Sequence, residues 1–167
     1  MNVRFGALLI AALLAADQVS KALVEANLPF QTPVPVLPVL SFFRTYNQGI
    51  AFSFFSGFSD EVLIALTLAV MVFVIWLWRQ AHPDRIWARL GFALVLGGAL
   101  GNLIDRVVHG HVIDFIMFHT QTWSFAVFNL ADSSITVGAV LIAFDELLEL
   151  RRAAGGQETR KGETSDE

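Results

Sequence analysis

Long stretches without charged side chains constrain the fold of this chain more than any other feature. The segment Val62–Trp78 has seventeen residues and no charge, with Asp60 and Glu61 before it and Arg79 after it. A helix of this length matches the hydrocarbon core of a bilayer. Hydrophobic residues make up 55% of the chain and charged residues only 16%, against about 25% charged residues in ordinary soluble domains. The sequence therefore predicts a membrane protein.

Apolar segments predict four membrane helices within one domain that covers residues 1–150. The predicted helices cover about residues 4–24, 61–79, 86–107 and 123–146. The first of them could instead be a cleaved signal peptide, since it follows Arg4. Leu13 or Leu14 stands where a cleavage site needs a small residue, and the apolar pattern continues through residues 17–24. We therefore favour a retained helix.

Residues 29–59 differ in composition from the predicted helices. They contain four of the five prolines of the chain, and proline at this density excludes a helix. The β-branched and aromatic residues between the prolines favour short strands. We expect a small β-rich element that lies on the membrane surface. Residues 151–167 are polar and contain Gly, and we expect this cytoplasmic tail to be disordered.

The basic residues predict the orientation of the helices. With four helices and both chain ends in the cytoplasm, eight basic residues lie inside and three lie outside, in agreement with the positive-inside rule. The inside set is Arg4, Arg79, Arg85, Arg89, Arg151, Arg152, Arg160 and Lys161, and the outside set is Lys21, Arg44 and Arg106. The β-rich element and the connection 105–122 then face a periplasm-like space.

Composition also excludes several kinds of partner and site. The chain has no cysteine, so it forms no disulfide, thiolate metal site or cysteine nucleophile. Its net charge is −4, and the acidic excess is concentrated in the tail, so the sequence offers no basic face for nucleic acid. We expect no cofactor.

Ionisable and amide residues inside or beside the apolar segments are functional candidates, because charge within a bilayer is costly. Asp17 and Lys21 are four residues apart and can pair on one helix face. Asn102, Asp105 and Arg106 share a face of the third helix. These residues could neutralise charge near a helix end, tie the outer helix ends together or bind a substrate head group.

Asp114 and Asp132 are the candidates for chemistry. Asp132 shares a helix face with Asn129 and lies roughly 13 Å below the outer boundary, at ~1.5 Å per residue from Trp123. Asp114, in the outer connection, can fold back to meet it. Two carboxyl groups across one water form a general acid/base pair, because close like charges keep one group protonated near neutral pH. Such a pair can hydrolyse a peptide bond without a metal or a nucleophile.

Three alternatives use the same residues or their neighbours. Intramembrane aspartates could serve a small transporter or a proton-coupled channel, although the sequence shows no internal repeat. They could be structural residues of a non-enzymatic assembly factor. His109, His111 and His119 with Asp114 could ligate zinc, but their spacing is loose and we expect no metal.

Five short stretches resemble the bacterial lipoprotein signal peptidase (signal peptidase II) family, in the family's order over about residues 5–150. They are DQVSK (17–21), YNQGIAF (46–52), GGALGNLIDR (97–106), VIDF (112–115) and FNLADSSI (128–135). The resemblance implies an all-α membrane protein with four transmembrane helices, a small periplasmic β-cradle and a short periplasmic helix. It also implies a multi-pass protein of the bacterial inner membrane, with cytoplasmic termini and an active site toward the periplasm.

The resemblance further implies an activity and its residues. The family is an aspartyl endopeptidase that removes the signal peptide from prolipoproteins, cutting just before the Cys that carries a diacylglyceryl group. Its catalytic aspartates correspond to Asp114 and Asp132. Its substrate-binding or site-supporting residues correspond to Asp17, Lys21, Asn47, Gly49, Asn102, Asp105, Arg106, Asn129 and Ala131. Other implied partners are membrane lipid and cyclic peptide inhibitors such as globomycin, and we expect a monomer.

Overall fold

The computed structural model describes residues 3–49 and 60–163, with side chains for residues 4–49 and 60–152. These residues form four helices and three strands, which follow one another in sequence. In order they are α1 (Val3–Asn27), β1 (Val34–Leu37), β2 (Leu40–Asn47), α2 (Asp60–Gln80), α3 (Ile86–His109), β3 (Val112–Phe118) and α4 (Leu130–Glu163).

Three of the described helices are long and apolar enough to cross a membrane. They are α1, α2 and α3, and their bounds lie within three residues of the predicted ones. By composition α4 falls short, because Asp132, Asp145 and Glu146 interrupt its apolar run. The described chain is thus an integral membrane fold built on apolar helices and a small antiparallel sheet.

Helix α3 occupies the centre of the bundle and packs against α1, α2 and α4. Most of its length is buried, whereas α1 and α2 expose most of their apolar side chains. One core cluster joins Val74 of α2 to Phe92, Val95 and Leu96 of α3. Exposed apolar side chains on the outer helices are the expected pattern for a surface that faces lipid.

Glycines allow the close approach of α3 to its neighbours, as the sequence predicts for positions 97, 98 and 101. A Cβ atom at Gly98 would collide with the carbonyl oxygen of Ala131 on α4. Gly97 and Gly101 instead face α1, where a Cβ at Gly101 would lie 2.5 Å from Oδ2 of Asp17. The GxxxG spacing therefore serves packing within the chain.

The three strands form an antiparallel sheet with the order β1-β2-β3. Strands β1 and β2 lie in the predicted β-rich element, and residues 50–59 of that element are outside the described residues. Strand β3 was not predicted, although its sequence VIDFIMF is rich in β-branched and aromatic residues. In the pairing of β2 with β3, Asn47 lies opposite Val112 and Thr45 opposite Asp114. This register brings Asn47 beside Asp114.

The predicted start of the fourth helix at residue 123 is wrong. The segment before Leu130 is extended and lies along β3, where the backbone N–H groups of Phe115 and Ile116 both donate to the carbonyl of Phe128 (3.0 and 2.8 Å). An apolar run alone does not distinguish a buried strand from a helix. Hydrogen bonding to β3 decides the conformation here.

The far end of α4 also differs from the expectation. The helix continues to Glu163, so most of the tail that we expected to be disordered is helical. Several of its residues are good helix formers, and elongation of an existing helix costs little. The short outer helix implied by the resemblance is not among the helices described in 3–49 and 60–163.

We predict that Gly98→Ala destabilises the bundle. Its methyl group would displace α4 from α3, at a cost of about 1–3 kcal/mol for overpacking. The unfolding temperature in detergent should fall by several degrees. Ala69→Val, which adds methyl groups on an exposed face of α2, should leave it almost unchanged. Equal melting of Gly98→Ala and the unsubstituted chain would contradict this close contact.

Candidate active site

Asp132 lies in the first turn of α4, in a reciprocal cap with Asn129. The side-chain oxygen of Asn129 accepts from the backbone N–H of Asp132 (2.9 Å), and the backbone N–H of Asn129 donates to Asp132 Oδ2 (3.2 Å). This is the geometry of a capping box. The positive end of the helix dipole also favours a negative charge there. The hydrogen bonds within the motif FNLAD therefore both cap the helix and fix the position of the Asp132 carboxylate.

Asp114 lies in the middle of β3 and is 2% exposed. Its two carboxylate oxygens accept from different amides. Asn47 on β2 donates to Oδ2 (3.0 Å), and Asn129 donates to Oδ1 (2.8 Å). The sheet register and the start of α4 together set the position of this carboxyl group.

A third amide completes the frame around the two aspartates. Asn102 of α3 donates from Nδ2 to Asp132 Oδ1 (2.7 Å), while its Oδ1 accepts from Asn129 Nδ2 (3.1 Å). Amide side chains carry both donors and an acceptor, so they can link two carboxyl groups without adding charge. The three asparagines thus connect β2, α3 and α4 around the Asp114–Asp132 pair.

The surroundings of Asp114 keep its proton bound at a higher pH than usual. Burial is the largest cause, the nearby charge of Asp132 adds to it, and the amides of Asn47 and Asn129 oppose it. Together they raise the pKa of Asp114 from 3.8 to about 7. Near neutral pH this carboxyl group can therefore donate a proton or a hydrogen bond.

A buried ion cluster lies behind the asparagines. Lys21 Nζ contacts Asp17 Oδ2 (2.8 Å) and Asp105 Oδ2 (2.7 Å), and each of these three side chains is at most 2% exposed. The backbone N–H of Ala131 donates to Asp17 (3.0 Å), and that of Ile113 donates to Asp105 (3.3 Å). The cluster ties α1 and α3 to the elements that carry both aspartates.

Arg106 and Gly49 lie on another side of the site. Arg106 donates from Nη2 to the carbonyl oxygen of Gly49 (3.0 Å), and the backbone N–H of Gly49 donates to Asn47 Oδ1 (2.9 Å). The arginine thereby holds the turn after β2, and this turn orients the amide that contacts Asp114.

Both aspartates line a cavity of about 780 Å³ between α2, α3, β3 and the start of α4. The lining is largely apolar, with Leu66 and Val70 contributed by α2. Polar groups other than the aspartates also reach it. They are Asn47, Thr67, Asn102, Arg106, Ser133 and Thr136. An apolar cavity with a few convergent polar groups is typical of a binding site.

The histidines do not assemble into a metal site in the described part of the chain. His111 packs against the ring of Tyr46 with centroids 3.9 Å apart, and His109 lies 6.0 Å from His111. His119 instead pairs with Ser41 Oγ (2.7 Å). Among residues 4–49 and 60–152, whose side chains are described, no three His, Cys, Asp or Glu side chains come together as metal ligands.

The structure separates the residues named from the sequence into two groups. Those that line the cavity are Asn47, Asn102, Arg106, Asp114 and Asp132. Those that support the site from behind are Asp17, Lys21, Gly49, Asp105, Asn129 and Ala131. Ala131 contributes its backbone N–H and its small size, since the positions of Gly98 and Gly101 lie against it.

Sequence reasoning missed two contributors. Gln18 donates to Asp105 Oδ1 (2.9 Å) and to Asp17 Oδ2 (3.3 Å), so it belongs to the ion cluster. Its place within DQVSK was the available signal. The α2 wall of the cavity was also missed, because an apolar membrane helix gives no sign of which face lines a site.

Comparison with known proteins shows which family this chain is similar to. The profile of the family described as signal peptidase (SPase) II matches residues 9–148. A lipoprotein signal peptidase of Sinorhizobium fredii is 58% identical over 146 residues, which cover 87% of this chain and 88% of the relative. One of Brucella ovis is 56% identical over 136 residues, covering 81% and 85%. A solved structure of a bacterial membrane enzyme superposes with a TM-score of 0.79 at 28% identity, covering 89% of this chain and 90% of the other.

We predict that two substitutions of Asn129 separate its two roles. Asn129→Ala removes the helix cap and the donor to Asp114, so both stability and peptide cleavage should fall, the cap contributing about 0.5–2 kcal/mol. Asn129→Ser keeps a capping oxygen and should recover most of the stability, but it lacks the amide that reaches Asp114. Thermal unfolding and single-turnover cleavage measure the two effects. Full activity in Asn129→Ser would show that the hydrogen bond from this amide to Asp114 does not contribute to cleavage.

Proposed function

The chain belongs to the signal peptidase II family, and from this premise we infer that Asp114 and Asp132 are its catalytic pair. It is an aspartic endopeptidase that processes lipoproteins by removing their signal peptides. The observation that carries the residue assignment is the joint position of both carboxyl groups on one cavity, within a frame of amide donors. The cut just before the diacylglyceryl-modified Cys is the expected position.

The two carboxyl groups take different roles in the proposed reaction. Asp132, at the positive end of α4, is the carboxylate that removes a proton from water. Asp114 carries a proton near neutral pH and donates a hydrogen bond to the scissile carbonyl oxygen. The resulting hydroxide attacks the carbonyl carbon and gives a tetrahedral intermediate. When the C–N bond breaks, the proton held by Asp132 passes to the leaving amine of the Cys residue.

The cavity suits a substrate that carries acyl chains. Helices α2 and α4 each pack on α3, and side chains of both line the cavity. Their apolar side chains provide a path from the surrounding lipid to the two aspartates. A lipid-modified Cys could enter laterally while its acyl chains stay among apolar groups, which avoids their exposure to water.

We propose that α4 is the fourth transmembrane helix, despite its charged ends. Arg85 pairs with Asp145 and Glu146 (both 2.6 Å) at the end of the apolar part of α4 opposite to Asp132. The pairing of these charges, and the distribution of Lys and Arg, support a cytoplasmic position for that end. The sheet and the aspartates then lie toward the periplasm of a bacterial inner membrane. Both termini are cytoplasmic, and residues 1–150 form one membrane domain.

The same geometry supports two further proposals about partners. Cyclic peptides such as globomycin should bind in the cavity, where their backbone amides can meet the carboxyl groups and their apolar parts can contact α2. We also propose that the enzyme acts as a monomer, since a single copy of the chain can supply Asp114, Asp132 and the amides of Asn47, Asn102 and Asn129 that hold them.

We predict that Asp114→Asn and Asp132→Asn each abolish the cleavage of a diacylglyceryl-modified prolipoprotein by the purified enzyme. An amide cannot remove the proton from water, and its weakly acidic N–H group stabilises the negative charge that develops on the carbonyl oxygen far less than a protonated carboxyl group does. Asp84→Asn changes an exposed carboxylate in the loop before α3 and should retain full activity. Each variant should show the unfolding transition of the unsubstituted chain. Turnover by either catalytic variant at the normal rate would exclude the assigned pair.

A further inference from the structure

Lys21 makes one contact that charge pairing does not require. Its ammonium group lies between Asp17 and Asp105, and two carboxylates more than neutralise one lysine. The third donor of the ammonium group points elsewhere and meets Oδ1 of Asn102 (3.1 Å). This contact is directed toward the aspartate pair, since Asn102 is the residue that donates to Asp132.

This contact, together with one from Asn129, fixes which way the Asn102 amide faces. Oδ1 of Asn102 accepts from Lys21 and from Asn129 (both 3.1 Å), so its NH₂ group is left to donate to Asp132 (2.7 Å). In the flipped orientation, the NH₂ group would face two donors, and the oxygen would face a carboxylate. Both contacts would be repulsive, and leaving such buried groups without partners is costly.

We propose that Lys21 is a positioning residue, and that it acts on Asp132 through the amide of Asn102. This proposal rests on the function proposed above. Lys21 is 2% exposed and does not line the cavity, so it does not contact the substrate. Its charge polarises the Asn102 amide, which strengthens the hydrogen bond to Asp132. The neutral amide between them keeps the ammonium group from pairing directly with the carboxylate that accepts the proton from water.

A double-mutant cycle tests this role. Lys21→Met and Asn102→Ala should each lower kcat by roughly ten- to a hundredfold, the effect of one hydrogen bond to a charged group. The KM of Lys21→Met should not change, because Lys21 does not contact the substrate. If Lys21 acts through Asn102, the double variant should be no slower than Asn102→Ala alone. A purely structural lysine would give losses that multiply, and this result would overturn the proposal.

A second variant covers the case in which Lys21→Met fails to fold, because it leaves two buried carboxylates unpaired. Lys21→Met combined with Asp17→Asn removes one positive and one negative formal charge, so the net charge of the cluster does not change. The kcat of this double variant should fall by the same factor that we expect for Lys21→Met alone. Its KM should equal that of the unsubstituted enzyme. A normal kcat would overturn the proposal. Failure of both variants to fold would assign Lys21 to folding alone and also overturn it.

The Asp132→Asn variant separates this inference from the proposed function. If Asp132→Asn is fully active, the catalytic pair itself is wrong. If Asp132→Asn is inactive while the losses from Lys21 and Asn102 multiply, only the positioning role of Lys21 fails.

Discussion

Two carboxyl groups that face one largely apolar cavity cannot both ionise easily, and the rest of the structure is arranged around this constraint. Among the side chains of residues 4–49 and 60–152, the protein places no lysine directly against either aspartate of the pair. It surrounds them with the amides of Asn47, Asn102 and Asn129. Amides orient a carboxyl group without supplying the full charge that would hold both groups ionised. Asp114 therefore keeps a pKa of about 7 despite two amide donors.

The membrane fold supplies the geometry that this arrangement needs. The glycines of α3 bring α1 and α4 close enough for the ion cluster to connect them. Strand β3 then places Asp114 opposite the first turn of α4, where the capping box fixes Asp132. Helices α1, α2 and α4, which line or support the site, expose apolar side chains on the outside of the bundle. Charged side chains are scarce in this chain, as in other membrane proteins. The few that are buried therefore have few competing charges nearby and interact strongly with their partners.

The sequence allowed much of this to be predicted, since a charge within an apolar segment is costly and has few possible roles. Asp132 and the polar residues of the first and third helices were identified on that basis, and the resemblance to signal peptidase II added Asn47, Gly49 and Ala131. Strand β3 and the start of α4 were not predicted correctly, because the apolar residues 123–128 fit either a helix or a strand. The hydrogen bond from Lys21 to Asn102 also could not be predicted. Helical spacing indicates the pair with Asp17, but the contact with Asn102 depends on how α1 packs on α3.

The central claim is that Asp114 holds the proton of the pair near neutral pH, and infrared titration of its carboxyl group tests this most directly. The difference spectrum between the unsubstituted enzyme and Asp114→Asn isolates the signal of this group. We predict that the protonated carboxyl band disappears with a midpoint near pH 7, since burial and Asp132 raise the pKa of Asp114 to about 7. In Asp132→Asn the midpoint should move to lower pH, because the repelling charge is gone. A group that is already fully ionised at pH 5 would contradict the account.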